Sequence, residues 1–273
     1  MSAYYNEIEP YCCQWLRNLM AAGLIPDGEV DSRSITEVQP EHVKGFTQCH
    51  FFAGLGGWAY AARLAGWPDD RHLWTGSCPC QPFSVIGKRA AFQDERHLWP
   101  EWFRLIRKSR PPVVFGEQVA NALSWLDLVF ADMEAEKYAC AAFDLPAASV
   151  GARHTRQRLW FVADSDQKRW SDPKGKSAPE ARATFRPTPG MVHCATPRSI
   201  RGTFEPSKDW VIDGVRGGGN AVRALGNSIV PQVAAEVLMA WMDGDQPRRL
   251  RTSTGLDLGE KSTFEAATSR SSW

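Results

Sequence analysis

Short apolar runs alternate along most of the chain with stretches whose apolar residues recur every three or four positions. Ala3-Tyr4-Tyr5 reads as a short strand ending at Asn6-Glu7. Over 11–22, Cys12, Trp15, Leu16, Leu19 and Met20 fall on one helical face. Residues 48–52 read as a strand that breaks at Ala53-Gly54-Leu55-Gly56-Gly57 and resumes as a helix over 58–64. A further apolar run, His72-Leu73-Trp74-Thr75, leads into Ser77-Cys78-Pro79-Cys80. The spacing predicts helices over 99–108, 126–137 and 229–241. It predicts strands over 111–116, which breakers bound, and over 159–163. This alternation predicts an α/β fold with a mostly parallel sheet covered by helices on both faces.

The pattern weakens after Asp164. Over 165–223 there are 11 Lys and Arg against 6 Asp and Glu, little periodicity, and many Pro, Gly, Ser and Thr. Arginines interleave with Trp170, Phe185, Phe204 and Trp210, which suits a nucleic acid face as well as it suits a solvated linker. The expected organisation is a catalytic and cofactor-binding domain over 1–164 and a small, irregular recognition region over 165–222. A helix over 223–243 packs back on the first domain, and a polar, disordered tail covers 244–273.

Composition narrows the chemistry. The chain has 273 residues, enough for one large α/β domain, and a net charge of +1, so no overall basic field announces a nucleic acid partner. Its seven cysteines are odd in number, and no signal peptide or long apolar span opens the chain. A reducing, cytoplasmic setting with free thiols follows, away from any membrane. Cys12-Cys13 and Cys78-x-Cys80 lack the two-residue gap of zinc knuckles, so no metal site is expected.

Candidate chemistry sits at the ends of the predicted strands. Pro79 biases Cys80 toward turn geometry, where a thiolate nucleophile can face a cleft; the plainer alternative is a buried structural cysteine. Gly54, Gly56 and Gly57 lie between a strand and a helix, which lets backbone approach a nucleotide-like ligand but is common elsewhere too. Glu117 follows the strand ending Val114-Phe115-Gly116, at the ligand edge of a parallel sheet, or else it simply bonds a loop. Arg156 and Arg158 leave the same local edge, as a functional pair or a surface one.

Taken together, Phe52-Ala53-Gly54-Leu55-Gly56-Gly57, Pro79-Cys80-Gln81, Glu117-Gln118-Val119, Arg156-x-Arg158 and Gly226-Asn227-Ser228 resemble the signature blocks of the DNA (cytosine-5) methyltransferases. Phe92-x-Asp94-Glu95-Arg96 with Leu98 resembles a weaker block of that family. The resemblance covers about 3–163 and 220–241. It implies the Rossmann-like fold of S-adenosylmethionine-dependent methyltransferases, S-adenosyl-L-methionine as cofactor, and double-stranded DNA as partner. It also admits a separate cognate restriction endonuclease.

One departure is large. Cys80 follows Gly57 by only 23 positions, too few for the family's ribose-binding and adenine-binding strands. Tyr5-Asn6-Glu7-Ile8-Glu9-Pro10-Tyr11 resembles the first of these, and Gly28-Glu29-Val30-Asp31 through Ser34-Ile35 the second. The chain therefore resembles a family member whose cofactor blocks are permuted.

The resemblance implies these roles. Cys80 adds to C6 of a flipped-out cytosine, Glu117 holds the N3/N4 edge, and Arg158, helped by Arg156, holds the O2 side. Residues 81–95 form a closing loop, with Gln81, Ser84, Lys88 and Arg89 against DNA. Phe52 stacks near adenine, Gly54 and Gly56 clear space, and Leu55 and Gly57 of the same loop also contact the cofactor. Glu7 takes the ribose hydroxyls, Ile8 and Ile35 flank the adenine, and Asp31 or Ser34 gives its polar contact. Pro79 and Leu98 complete the cofactor wall, and Asn227 and Ser228 hold the methionine end. Gln118 stands where the family usually has Asn, and His154 where Gln is commoner. RNA, such as tRNA, is the alternative substrate; a catalytically inactive nucleic acid binder is the alternative from another class.

Overall fold

The structure, a computed structural model, describes residues 3–79, 98–166, 224 and 228–245. Seven strands form one sheet: β1 (Ala3–Asn6), β2 (Gly28–Asp31), β3 (Gln48–Phe51), β4 (Leu73–Gly76), β5 (Val113–Val119), β6 (Ala139–Pro146) and β7 (Gln157–Asp164). Their order in space is β2-β1-β3-β4-β5-β7-β6. The first five are parallel, whereas β7 runs antiparallel to both β5 and β6. Counting β3 first, then β1, β2, β4 and β5, the parallel part reads 3-2-1-4-5, the order of a doubly wound sheet. In chain order the two strands at the β2 edge come first.

Among the described residues, six helices cover this sheet: α1 (Pro10–Ala21), α2 (Pro40–Val43), α3 (Gly57–Leu64), α4 (Trp99–Ser109), α5 (Leu123–Ala135) and α6 (Pro231–Asp245). Period-two alternation sorts the strand residues between the faces. Tyr4, Cys49, Phe51, Trp74, Val114 and Phe161 point to one face, beneath α2, α4 and α5. Leu73, Val113, Phe115, Trp160 and Val162 point to the other, beneath α3 and α6, and Ala3 and Tyr5 meet Leu16 of α1 there.

Differences from the sequence expectation have local causes. Strand β6 was not predicted because Ala139-Cys140-Ala141-Ala142 carries no alternation, and as an edge strand it is only half-buried. Strand β2 and the single turn α2 are four residues each, too short for periodicity. Helix α5 begins three residues before 126 and ends two before 137, and Lys137 beyond it has φ 68°. Helix α6 runs to Asp245, two residues into the span assigned to the tail. Most of 165–222, and all of 246–273, lie outside the described residues.

The core is aromatic. Trp99, Trp102, Trp125 and Phe161 are fully buried and meet at ring-centroid separations of 5.7 to 6.4 Å, mostly edge to face. Trp102 also stands edge-on to Phe52, 6.2 Å away, and so joins the core to the loop after β3. Trp102→Ala is expected to cost about 3–5 kcal/mol of stability by the usual cost of emptying a large aromatic site. Urea unfolding followed by tryptophan fluorescence and circular dichroism measures it.

Candidate functional site

Because β1, β3, β4 and β5 are parallel and in register, Asn6, Phe51, Gly76 and Gly116 reach the same edge of the sheet. The segments that follow them converge there, as the carboxyl edge of an open α/β sheet predicts. Strand β7, being antiparallel, brings its first residues to that edge. A cavity of about 510 Å³ opens between these segments.

One end of the cavity is lined by Glu7, Ile8, Ser34, Ile35, Phe52 and Gly54. Glu7 is held firmly. One carboxylate oxygen accepts the Gly54 N–H at 2.7 Å and the other accepts the Glu9 N–H at 2.8 Å, so the acid ties the end of β1 to the glycine turn. Ile8 is 63% exposed although it lines the cavity, whereas Ile35 opposite it in the sequence assignment is buried. Phe52 has φ 52°, an uncommon backbone state for a bulky residue and one concentrated at functional sites.

The other end is lined by Ser77, Pro79, Glu117, Arg156, Arg158 and Ser228. Glu117 pairs across the strands with Trp160, and Arg158 sits diagonally, opposite Val119. The Arg158 Nε donates to Glu117 Oε1 at 2.9 Å. Burial pushes the Glu117 carboxyl above the ordinary carboxylate range; Arg158, the Ser77 hydroxyl and Arg156 pull it back without cancelling that effect. Arg156 has φ 29° and donates to the Ser228 carbonyl at 2.7 Å, which ties β7 to the segment before α6. Burial, then the neighbouring Arg158, push its guanidinium down.

The structure therefore brings Glu7, Ile8, Ser34, Ile35, Phe52 and Gly54 to one cavity with Glu117, Arg156 and Arg158. Gly57, Pro79, Leu98 and Ser228 line it as well. Asp31, Leu55 and Gly56 do not. The Asp31 carboxylate is engaged elsewhere: burial raises it, but hydrogen bonds from Arg33 and the Tyr4 hydroxyl outweigh that and hold it down at about 2. Ser34, three residues on, occupies the wall in its place. Gly56 answers to packing: it has φ 77°, and a Cβ there would stand 3.1 Å from both Leu16 and Leu19 of α1. At Gly57 a Cβ would come within 2.7 Å of Ile229, so the segment before α6 closes on the glycine turn. Cys80, Gln81, Ser84, Lys88, Arg89 and Asn227 lie outside the described residues; Pro79, which precedes Cys80, is on the cavity wall.

Sequence reasoning gave no role to three residues here. Trp58 Nε1 donates to Ser77 Oγ at 3.1 Å, and Gln118 donates to the Cys78 carbonyl at 3.3 Å. The Gln118 bond braces the turn that leads to Cys80 from the neighbouring strand. The Gln118 contact follows from the alignment of β4 with β5, and the Trp58 contact from the packing of α3 against the segment after β4. Among the described residues, Cys12, Cys13, Cys49, Cys78 and Cys140 form no disulfide. Burial pushes the thiols of Cys13, Cys49 and Cys140 up, the last to about 12, which disfavours the reactive thiolate at all three. Among the described residues no group of His, Cys, Asp and Glu is arranged to hold a metal ion, and no helix is long and apolar enough to cross a membrane.

Comparison with known proteins follows the same lines. Residues 62–189 match the family model of the C-5 cytosine-specific DNA methylases. The chain is 26% identical over 191 residues to the type II methyltransferase M.AquIA of Picosynechococcus sp., covering 65% of this chain and 68% of that protein. It is 33% identical over 101 residues to the type II methyltransferase M.HhaI of Haemophilus parahaemolyticus, covering 35% and 31%. Among solved structures, DNMT2 of Spodoptera frugiperda superposes with a TM-score of 0.42 at 15% identity, over 60% of this chain and 42% of that one. The Entamoeba histolytica methyltransferase EhMeth gives 0.42 at 16%, over 59% and 44%. By its matched segment and its curated relatives, the chain is similar to the C-5 cytosine-specific DNA methylases.

Proposed function

We propose that this protein transfers a methyl group to C5 of cytosine in double-stranded DNA, with S-adenosyl-L-methionine as donor. The observation that carries the proposal is one cavity joining an acid–guanidinium pair, Glu117 and Arg158, to a slot with the makings of a nucleoside site. Glu7 offers that slot a fixed carboxylate, which suits a ribose diol. Ile8, Ile35 and Phe52 offer flat apolar contact for a purine. At Gly54 a Cβ would find only the Phe52 carbonyl within 4 Å, so the turn leaves room for a ligand. When bound there, S-adenosylmethionine supplies an electrophilic methyl group from its sulfonium.

The chain's own residues do the rest. Cytosine C5 is a weak nucleophile. Attack of the Cys80 thiolate on C6 forms an S–C6 bond and moves the ring π electrons toward C5, which becomes enamine-like. Once C5 has taken the methyl group, a base removes its proton, the C5–C6 double bond reforms and the thiolate leaves. Glu117, whose carboxyl is shifted toward the protonated form, hydrogen-bonds N3 and N4 and helps the ring accept electrons. Arg158 and Arg156 lie on the same side and stabilise charge developing at O2. A cavity at a sheet edge admits the base only after it leaves the duplex stack.

The strand order supports a permuted arrangement of the cofactor blocks. Strands β1 and β2, which carry Glu7 and Ser34 at their ends, come first in the chain yet occupy positions two and three of the doubly wound sheet counted from β3. Incubating the protein with tritium-labelled S-adenosylmethionine and either duplex DNA or tRNA tests the substrate. Label should enter duplex DNA and not tRNA; label in tRNA alone would replace this reading with RNA methylation.

A further inference from the structure

Strand β5 lies between β4 and β7, so Glu117 has a neighbour on each side. From β7 comes Arg158, at 2.9 Å. From the end of β4 comes Ser77: Gly76 aligns with Gly116, Ser77 and Glu117 are the residues that follow them, and the Ser77 hydroxyl hydrogen-bonds the Glu117 carboxyl group. Both line the cavity. Ser77 is itself constrained. The Trp58 indole N–H donates to its Oγ at 3.1 Å. That indole is only 4% exposed and stands edge-on to Trp160, 5.5 Å away, which is the cross-strand partner of Glu117. A serine hydroxyl has one proton to give. With a lone pair taken by the indole, that proton is free for the acid beside it.

We propose that Ser77, held by Trp58, is a positioning residue that grips the Glu117 carboxyl group from the side opposite Arg158. The inference rests on the reading of Glu117 as the acid that binds the base. The carboxyl group is then braced from both flanking strands, and its plane is fixed before cytosine enters. The charged groups facing Glu117 are Arg158 of β7 and Arg156 just before that strand; Ser77, just after β4, is the hydroxyl that opposes the effect of burial. Trp58 acts only through Ser77.

Two readouts test this in the full-length protein, one of which needs no activity. The first is the titration of Glu117, followed by 13C NMR of glutamate-labelled protein, with Glu117→Gln identifying the signal. The second is the pH profile of kcat on duplex DNA. Ser77→Ala should move the Glu117 titration to higher pH and carry the matching limb of the kcat profile with it. It should also lower kcat by about tenfold, the scale of one modest hydrogen bond, with KM for DNA little changed. Ser77→Thr, which keeps the hydroxyl, should restore both readouts. Trp58→Phe, which keeps a ring but loses the N–H, should shift the titration in the same direction as Ser77→Ala and tests the contact if that variant does not fold. An unmoved titration in Ser77→Ala or Trp58→Phe, or a threonine variant that behaves like alanine, overturns the proposal. If the titration shifts as expected but no variant, nor the wild type, methylates DNA, the positioning stands and the assigned reaction fails.

Discussion

Replacing Arg158 with Met should lower kcat/KM for methyl transfer by about 10²–10³, the usual loss when one preorganised charge-stabilising donor is removed. The same variant should lose stability in a pH-dependent way. Glu117 has a folded pKa raised above its unfolded value, so the stability linked to its proton is full below the ordinary carboxylate pKa of about 4.3. That contribution fades as pH rises through the folded pKa. Arg158 is the strongest of the groups opposing the rise. Without it the folded pKa climbs further, and more stability is lost between mildly acidic and neutral pH. Urea unfolding at pH 5 and pH 8 should therefore show a larger penalty at pH 8. An uncompensated buried charge costs about 3–5 kcal/mol, and the low end applies because the Arg158 side chain is 21% exposed. Adding Glu117→Gln should remove the pH dependence. Equal penalties at the two pH values would contradict this account of the pair.

The second large effect belongs to Glu7. Glu7→Ala should weaken S-adenosylmethionine binding by about 100-fold, because it removes charge-assisted acceptors worth about 1.5–3 kcal/mol for the ligand and unties the Gly54 and Glu9 N–H groups. Isothermal titration calorimetry measures it. Glu7→Gln keeps an acceptor and should fall between the two. Unchanged affinity in Glu7→Ala would refute the assignment of the first strand to the cofactor, and with it the permuted reading. The effect should be confined to the cofactor, since Glu7 follows β1 and the Glu117–Arg158 pair belongs to β5 and β7, with β3 and β4 between them.

Much of this site was legible in the sequence, for reasons that differ residue by residue. Glu7 and Phe52 stand directly beyond strand ends that a few consecutive apolar residues mark out, and Glu117 follows the apolar run of β5, which continues past it to Val119. Parallel register then carries them to one edge without further instruction. Arg158 was legible from the apolar run Leu159-Trp160-Phe161 that it opens near the start of β7. The Asp31 alternative failed because its partners, Tyr4 and Arg33, lie one strand and one turn away, and a single sequence does not show which carboxylate is already neutralised. Ser77 and Gln118 were visible as letters, but their roles depend on the lateral alignment of β4 with β5. Residues 40 apart in sequence settle that alignment. Strand β6 escaped because alanine fits helix and edge strand alike, and only pairing with β7 decides between them.

The central claim is that the thiol at position 80 joins the acid and the guanidinium in modifying cytosine. It is tested most directly by bisulfite sequencing of DNA from a bacterial host lacking its own cytosine methylation, after expression of the wild-type chain or of Cys80→Ser. The account predicts 5-methylcytosine at one short recurrent sequence with the wild type and none with the variant. Methylation that survives the cysteine replacement, or DNA left unmodified by a folded wild-type protein, would contradict it.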